Sequence, residues 1–155
     1  MHGGSAIPKE RSKKFWKKWG DKVEDIKIRG IDGIFFILKS DLPHLHRFSS
    51  GKDTVYLLPK FDPYIMGYKN RERLISKEHE KRVYWSTRGE ISPSILVNGR
   101  IIGTWSFKED KNKFKITLSF FEKTNKPILE VIEHQAERLA HFMGGKDPQI
   151  ILQET

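Results

Sequence analysis

Hydrophobic and polar positions divide the chain into short elements of two periods. Residues 23–28 and 34–38 are rich in β-branched and aromatic side chains and are separated by Arg29-Gly30-Ile31-Asp32-Gly33, a pattern that predicts a hairpin. Ahead of them the run PKERSKKFWKKWG, from Pro8 to Gly20, places Phe15, Trp16 and Trp19 on one helical face with lysines around the rest, which predicts a short basic helix stopped by Gly20. A helix followed by a two-stranded ribbon is the second half of a winged helix. Residues 40–53 contain Pro43, His44, His46, Ser49, Ser50 and Gly51 and read as a linker with room for a helical turn.

Beyond the linker, residues 54–58 predict a strand ended by Pro59, residues 61–68 an irregular or helical segment, and residues 76–82 a short helix capped by Ser76. Asn98-Gly99, flanked by apolar residues 95–97 and 100–107, is the strongest short-range hairpin signal, and residues 113–120 add a strand after a charged turn. Helical spacing from Pro127 to Met143 predicts a helix that buries Ile128, Ile132, Ala136, Leu139 and Met143, capped by Thr124 or Asn125 and ended by Gly144-Gly145. The expected architecture is α+β: a partial winged helix with its linker over residues 1–50, then over residues 51–155 a small antiparallel β domain closed by a C-terminal helix.

Composition changes this picture in three respects. Lys and Arg number 29 against 20 Asp and Glu, so the formal charge is +9, which favours polyanionic partners such as nucleic acid. The excess is uneven, because the first 22 residues hold seven Lys and Arg against two acids. The absence of cysteine removes disulfides, thiol nucleophiles and Cys-based zinc sites, and no apolar stretch approaches the ~20 residues that span a bilayer. A soluble cytoplasmic protein, nucleoid-associated when bound to DNA and without a membrane partner, is the expectation.

The series LLPKFDPYIMGYKNRERLI, then ILVNGRIIGTWSF, then a terminal helix ending HFMGG, resembles the C-terminal part of the winged-helix DNA-glycosylase family, whose members excise alkylated or crosslinked bases. The order Leu-Leu-Pro-x-Phe-Asp, Gly-Tyr-x-x-Arg, Gly-Arg-x-x-Gly-Thr-Trp carries the resemblance, which runs from about Lys9 to Gly145. It implies tandem winged helices followed by a β-rich C-terminal domain, with this chain corresponding to the end of that arrangement and lacking its front. The resemblance also implies a Gln-x-Gln or Gln-x-Asp catalytic motif near the N-terminus of the full arrangement. The glutamines here, Gln135, Gln149 and Gln153, stand in other contexts, so no catalytic residue carries over.

The candidate residues are therefore binding residues. Lys13, Lys14, Lys17 and Lys18 can lie along phosphates or form a solvated face, and Arg29 at the wing tip can reach a groove or serve solubility. Trp16 and Trp19 are more often core than base-stacking platforms at such spacing. Asp62 with Tyr68, Arg71 and Arg73 suggests a carboxylate that orients a guanidinium toward phosphate, against a purely structural Asp–Arg pair. Arg100 beside the Asn98-Gly99 turn can touch DNA, while Trp105 packs under the sheet. His44-x-His46 offers too few ligands for a zinc site, and no metal or cofactor is expected. The expected function is duplex DNA binding through the backbone, by a truncated or split relative of a repair glycosylase without its own catalytic motif. The alternatives are one subunit of a split glycosylase, whose N-terminal half is a separate partner chain, and a non-DNA interaction module.

Overall fold

The computed structural model describes residues 18–30, 33–45, 53–67, 71–85, 87, 89–110 and 113–154. The basic helix expected from Pro8 lies outside these residues except at its end, where Lys18 and Trp19 are helical and lead into a 3-10 turn, Gly20–Lys22. The chain falls into two compact units, Met1–Ser49 and Ser50–Thr155.

In the first unit, β1 (Val23–Ile26) and β2 (Phe35–Leu38) pair antiparallel with Val23 opposite Leu38 and Ile26 opposite Phe35. The amide of Lys39 donates to the Lys22 carbonyl at 2.8 Å and closes the open end of the ribbon. Gly30 and Gly33 hold φ of 79° and 125°, conformations that a side chain disfavours, which is why this connection needs glycine. A single helical turn, α1 (Leu42–Leu45), follows, with the Asp41 carbonyl accepting from the amides of His44 and Leu45.

The second unit begins with β3 (Val55–Leu58) and a one-turn helix α2 (Pro63–Met66), in which Pro63 takes the first turn, where its missing N–H costs nothing. Then come α3 (Lys77–Val83) and a two-rung hairpin of β4 (Tyr84–Trp85) and β5 (Glu90–Ile91). Strands β6 (Ser94–Val97), β7 (Arg100–Asp110) and β8 (Lys113–Phe120) form a meander, followed by α4 (Lys126–Phe142) and β9 (Gln149–Glu154). The sheet order is β3-β6-β7-β8-β9. Asn98 and Gly99 turn β6 into β7 with φ of 50° and 81°, the two positive values that an Asn-Gly hairpin supplies most readily. The Asn98 side chain accepts from the Thr54 amide at 2.9 Å and donates to Asp53 at 2.8 Å, so the turn also fixes the start of β3.

Both faces of this sheet are covered. On one face Val55, Ile95, Val97, Trp105, Ile116, Leu118 and Phe120 meet Ile132, Ala136 and Ala140 of α4, with the small alanines allowing the helix close to the strands. On the other, Leu96, Ile101 and Phe121 meet Ile65, Leu74, Ile75, Val83 and Ile91. The register shifts between Ile95 and Leu96: Leu96 pairs with Ile101 and Ile95 with Gly103, leaving Ile102 as the extra residue of a bulge that inverts the alternation of β7, so that Ile101 and Trp105 face opposite layers. The Ile101 amide, turned out of the ladder, donates to the Leu74 carbonyl at 2.6 Å and ties the segment before α3 to the sheet.

Three features depart from the reading of the sequence. The β domain is not purely antiparallel, because β9 pairs parallel to β8; the 17 residues of α4 carry the chain back along the sheet, and a strand after such a crossover runs parallel. Met143 does not join the core: it lies past the last helical residue, 37 % exposed, and Ala140 takes the inner position. Ser76 stands at the N-cap of α3 without capping it, its hydroxyl donating instead to the Glu78 carboxylate at 3.2 Å. Of the two caps expected for α4, Asn125 is the one used, accepting from the Ile128 amide at 3.0 Å, in agreement with the sequence.

Gly103 is the tightest of the described glycines, since a Cβ there would overlap the Ser119 carbonyl oxygen and lie 3.2 Å from Ile95. Gly103→Ala should destabilise the β domain by about 1–3 kcal/mol, the usual cost of forcing an extra carbon into packed backbone. Urea unfolding followed by tryptophan fluorescence checks this; an unchanged midpoint would mean that β7 and β8 separate more easily than the geometry implies.

Candidate nucleic-acid interface

The cationic residues singled out in the sequence occupy three different environments. Lys13, Lys14, Lys17 and Tyr68 lie outside the described residues. Lys18 and Arg29 are exposed on the first unit, together with Lys22, Lys27 and Lys39. Trp19 beside Lys18 is half-buried, and the Lys22 ammonium sits 5.4 Å from its ring, so the aromatic residue is in part a support for cations. Arg29 occupies the turn between β1 and β2, at the far end of the ribbon from the Lys39–Lys22 closure.

Arg71 is placed quite differently. Its side chain is 11 % exposed, its Nε donates to the Ile65 carbonyl at 3.2 Å, and its guanidinium lies 3.9 Å from the Tyr84 ring centre with Glu80 at 3.9 Å. These contacts join α2, α3 and β4 into one layer. The partner expected for it, Asp62, is occupied elsewhere: one carboxylate oxygen accepts from the Tyr64 amide at 2.8 Å and caps α2. Asp62 therefore fixes the start of a helix, and Arg71 is oriented by a carbonyl, a ring and a glutamate. Arg73, half-buried, lies with its guanidinium 5.3 Å from the Tyr64 ring.

Trp105 is 8 % exposed and its indole N–H donates to the Leu58 carbonyl at 2.8 Å, bonding the middle of β7 to the end of β3. It is a packing residue under the sheet. Arg100 is exposed where β7 leaves the Asn98-Gly99 turn, and it lines a cleft of about 400 Å³ with Ser76, His79, Phe121, Lys123 and Asn125. The β domain thus brings Arg100 and Lys123 to one opening near the start of α4, a juxtaposition of residues 23 positions apart that no local motif announces. His79, which carries no motif in the sequence, is held in this cleft against Phe121, ring centres 4.7 Å apart.

Among the described candidates, then, Lys18, Arg29 and Arg100 are open to a polyanion, whereas Asp62, Arg71 and Trp105 hold the scaffold. The first two belong to one unit and Arg100 to the other. Exposed cations on a ribbon and on a hairpin suit contacts to phosphate, which needs charge at the surface and little else.

Comparisons with known proteins agree with the motifs. The model of the AlkZ-like DNA glycosylase family matches residues 2–142. An interstrand DNA cross-link repair glycosylase of Streptomyces sahachiroi is 21 % identical over 140 residues, covering 90 % of this chain and 36 % of the relative. The solved structure of the Streptomyces sahachiroi DNA glycosylase AlkZ superposes with a TM-score of 0.73 at 22 % identity, covering 97 % of this chain and 38 % of that one. The chain thus spans little more than a third of the length of these relatives while sharing their fold across that part. With the family model matching most of its length, the chain belongs to the AlkZ-like DNA glycosylase family.

Proposed function

We propose that this chain binds duplex DNA through backbone contacts and does not by itself break the glycosidic bond. The observation that carries the reading is membership of a DNA glycosylase family, combined with an excess of positive charge concentrated in the first 22 residues. In this reading the residues ending in helical Lys18–Trp19 and the β1–β2 ribbon are the last helix and wing of a winged helix. Lys13, Lys14, Lys17 and Lys18 then follow phosphates, and Arg29 at the ribbon tip reaches the neighbouring groove or backbone. Arg100 extends the same cationic character to the β domain. Arg71 and Arg73 act through the layer they hold, not through DNA. Such binding places the protein with the chromosome in the cytoplasm.

A second reading concerns a partner chain, this chain matching 36–38 % of the length of its relatives. Here the remainder, including a Gln-x-Gln or Gln-x-Asp motif, comes from a separate chain, and the present one is the DNA-gripping subunit of a split glycosylase. A neighbouring reading frame that encodes that motif would favour this version.

Fluorescence anisotropy with a random duplex tests the binding. We expect sequence-independent association at low salt that weakens to roughly micromolar or beyond at physiological ionic strength. Absence of binding at low ionic strength removes the proposal. Changing Lys13 and Lys14 to Ala should flatten the dependence of log-affinity on log-salt by ~0.9 for each phosphate no longer neutralised, and Arg29→Ala should add a similar step.

Arg71→Ala provides the contrast. Loss of its bond to Ile65 and its stacking on Tyr84 should lower stability by about 1–3 kcal/mol while the salt slope stays as it was. Thermal melts beside the titrations separate these outcomes; a flattened slope without destabilisation would make Arg71 a phosphate contact after all.

Chemistry is tested separately. The chain alone, incubated with methylated duplex, should release no alkylated base above the spontaneous rate, as read by chromatography of freed bases. Release above that rate would mean that one of the binding or scaffold residues also acts as a catalytic group.

A further inference from the structure

Two carboxylates and an imidazole converge beside the cleft at the start of α4. His79 Nε2 lies 3.5 Å from a Glu122 carboxylate oxygen and 3.7 Å from one of Glu78, and all three ligand atoms fall within 4.8 Å of one another. These separations are too long for hydrogen bonds, which for N–H···O run from about 2.7 to 3.2 Å. Nε2 is itself shielded from solvent and has no hydrogen-bond partner, an expensive state for a ring nitrogen unless something else satisfies it. Three ligands placed about 2.1 Å from a tetrahedral ion stand about 3.4 Å from each other, close to the spacing found for the imidazole with each carboxylate.

We propose that Glu78, His79 and Glu122 form a binding site for a divalent transition-metal ion, with Zn²⁺ the natural occupant. Imidazole and carboxylate are both suitable zinc ligands, and two glutamates neutralise the charge of the ion, which matters in a neighbourhood that also contains Arg82, Arg100 and Lys123. The surroundings hold the ligands in place. The Ser76 hydroxyl, not used to cap α3, donates to the Glu78 carboxylate at 3.2 Å, the kind of outer hydrogen bond that orients a ligating oxygen. Phe121 lies against the imidazole at 4.7 Å, and the Arg82 guanidinium lies 4.5 Å from the same phenyl ring. Three protein ligands leave a fourth tetrahedral position, and His79 and Glu122 both line the 400 Å³ cleft, so that position is open to water or to an anionic group.

No sequence motif announces this site, because Glu122 is 43 residues from His79 and reaches it only through the packing of Phe121 beneath α3. It is independent of the DNA-binding reading. Isothermal titration of the metal-free full chain with zinc chloride should give saturable binding of one equivalent, and the melting temperature should rise with zinc concentration. Glu122→Gln and His79→Asn should each weaken binding at least about tenfold, whereas His44→Asn and His134→Asn, at exposed histidines elsewhere, should leave it unchanged. Because His79→Asn can disturb the packing on Phe121, the decisive variant is Glu122→Gln, whose side chain is 78 % exposed and contributes nothing to the core. A lack of saturable binding, or equal affinity in the Glu122→Gln protein, overturns the proposal.

Discussion

Burial of β6 on both faces constrains the β domain more than any other packing, since Ile95 and Val97 enter one core while Leu96 enters the other and Ser94 is fully enclosed. A strand in that position needs hydrogen-bonded neighbours on both edges, β3 and β7, and covering layers above and below. The bulge at Ile102 changes the phase of β7, so that Ile101 enters one layer and Trp105, four residues on, enters the other. Beside it stands Gly103, where backbone and side chains approach too closely for a Cβ. The polar residues of the Gly-Arg-x-x-Gly-Thr-Trp stretch are then sorted: Trp105 bonds β7 to Leu58, and Arg100 is left outside at the turn.

The second layer explains why several charged residues are not at the disposal of a ligand. A short helix such as α2 has little stability of its own and depends on its cap at Asp62 and on the Arg71 bond to the Ile65 carbonyl. Arg71 is thereby removed from the surface, and a guanidinium 11 % exposed is costly to move. Among the candidate cations described, those that remain open are Lys18, Arg29 on the β1–β2 ribbon, and Arg100, where no packing is required of them. That partition of charge between scaffold and surface is what supports a backbone-contact mode of DNA binding.

Much of this is legible in the sequence. The Asn98-Gly99 hairpin, the ribbon joined through Gly30 and Gly33, and the α4 helix beginning after Asn125 all rest on local chemistry that a short window contains. The family can be read from the order of three motifs and is the one that the comparisons identify. The features that a short window does not contain depend on distant partners. The strand β9 has little alternation of its own and exists because β8 offers an edge after the helical crossover. Asp62 and Arg71 are near enough in sequence to suggest a pair, but a nearer backbone amide takes the carboxylate first. The cleft with His79, Arg100 and Lys123 assembles residues from α3, β7 and the segment before α4, and only the folded sheet brings them together.

The most direct measurement of whether the chain holds DNA, and where, is a map of backbone amide shifts in a ¹⁵N-labelled full chain titrated with a short random duplex at low salt. Binding by a basic helix and wing predicts fast-exchange shifts concentrated at Lys18, Lys22 and Lys27 and at Arg29 and Gly30, with a smaller set at Arg100 and none at Arg71 or Trp105. Shifts confined to the β domain, or no shifts at any residue, would contradict it.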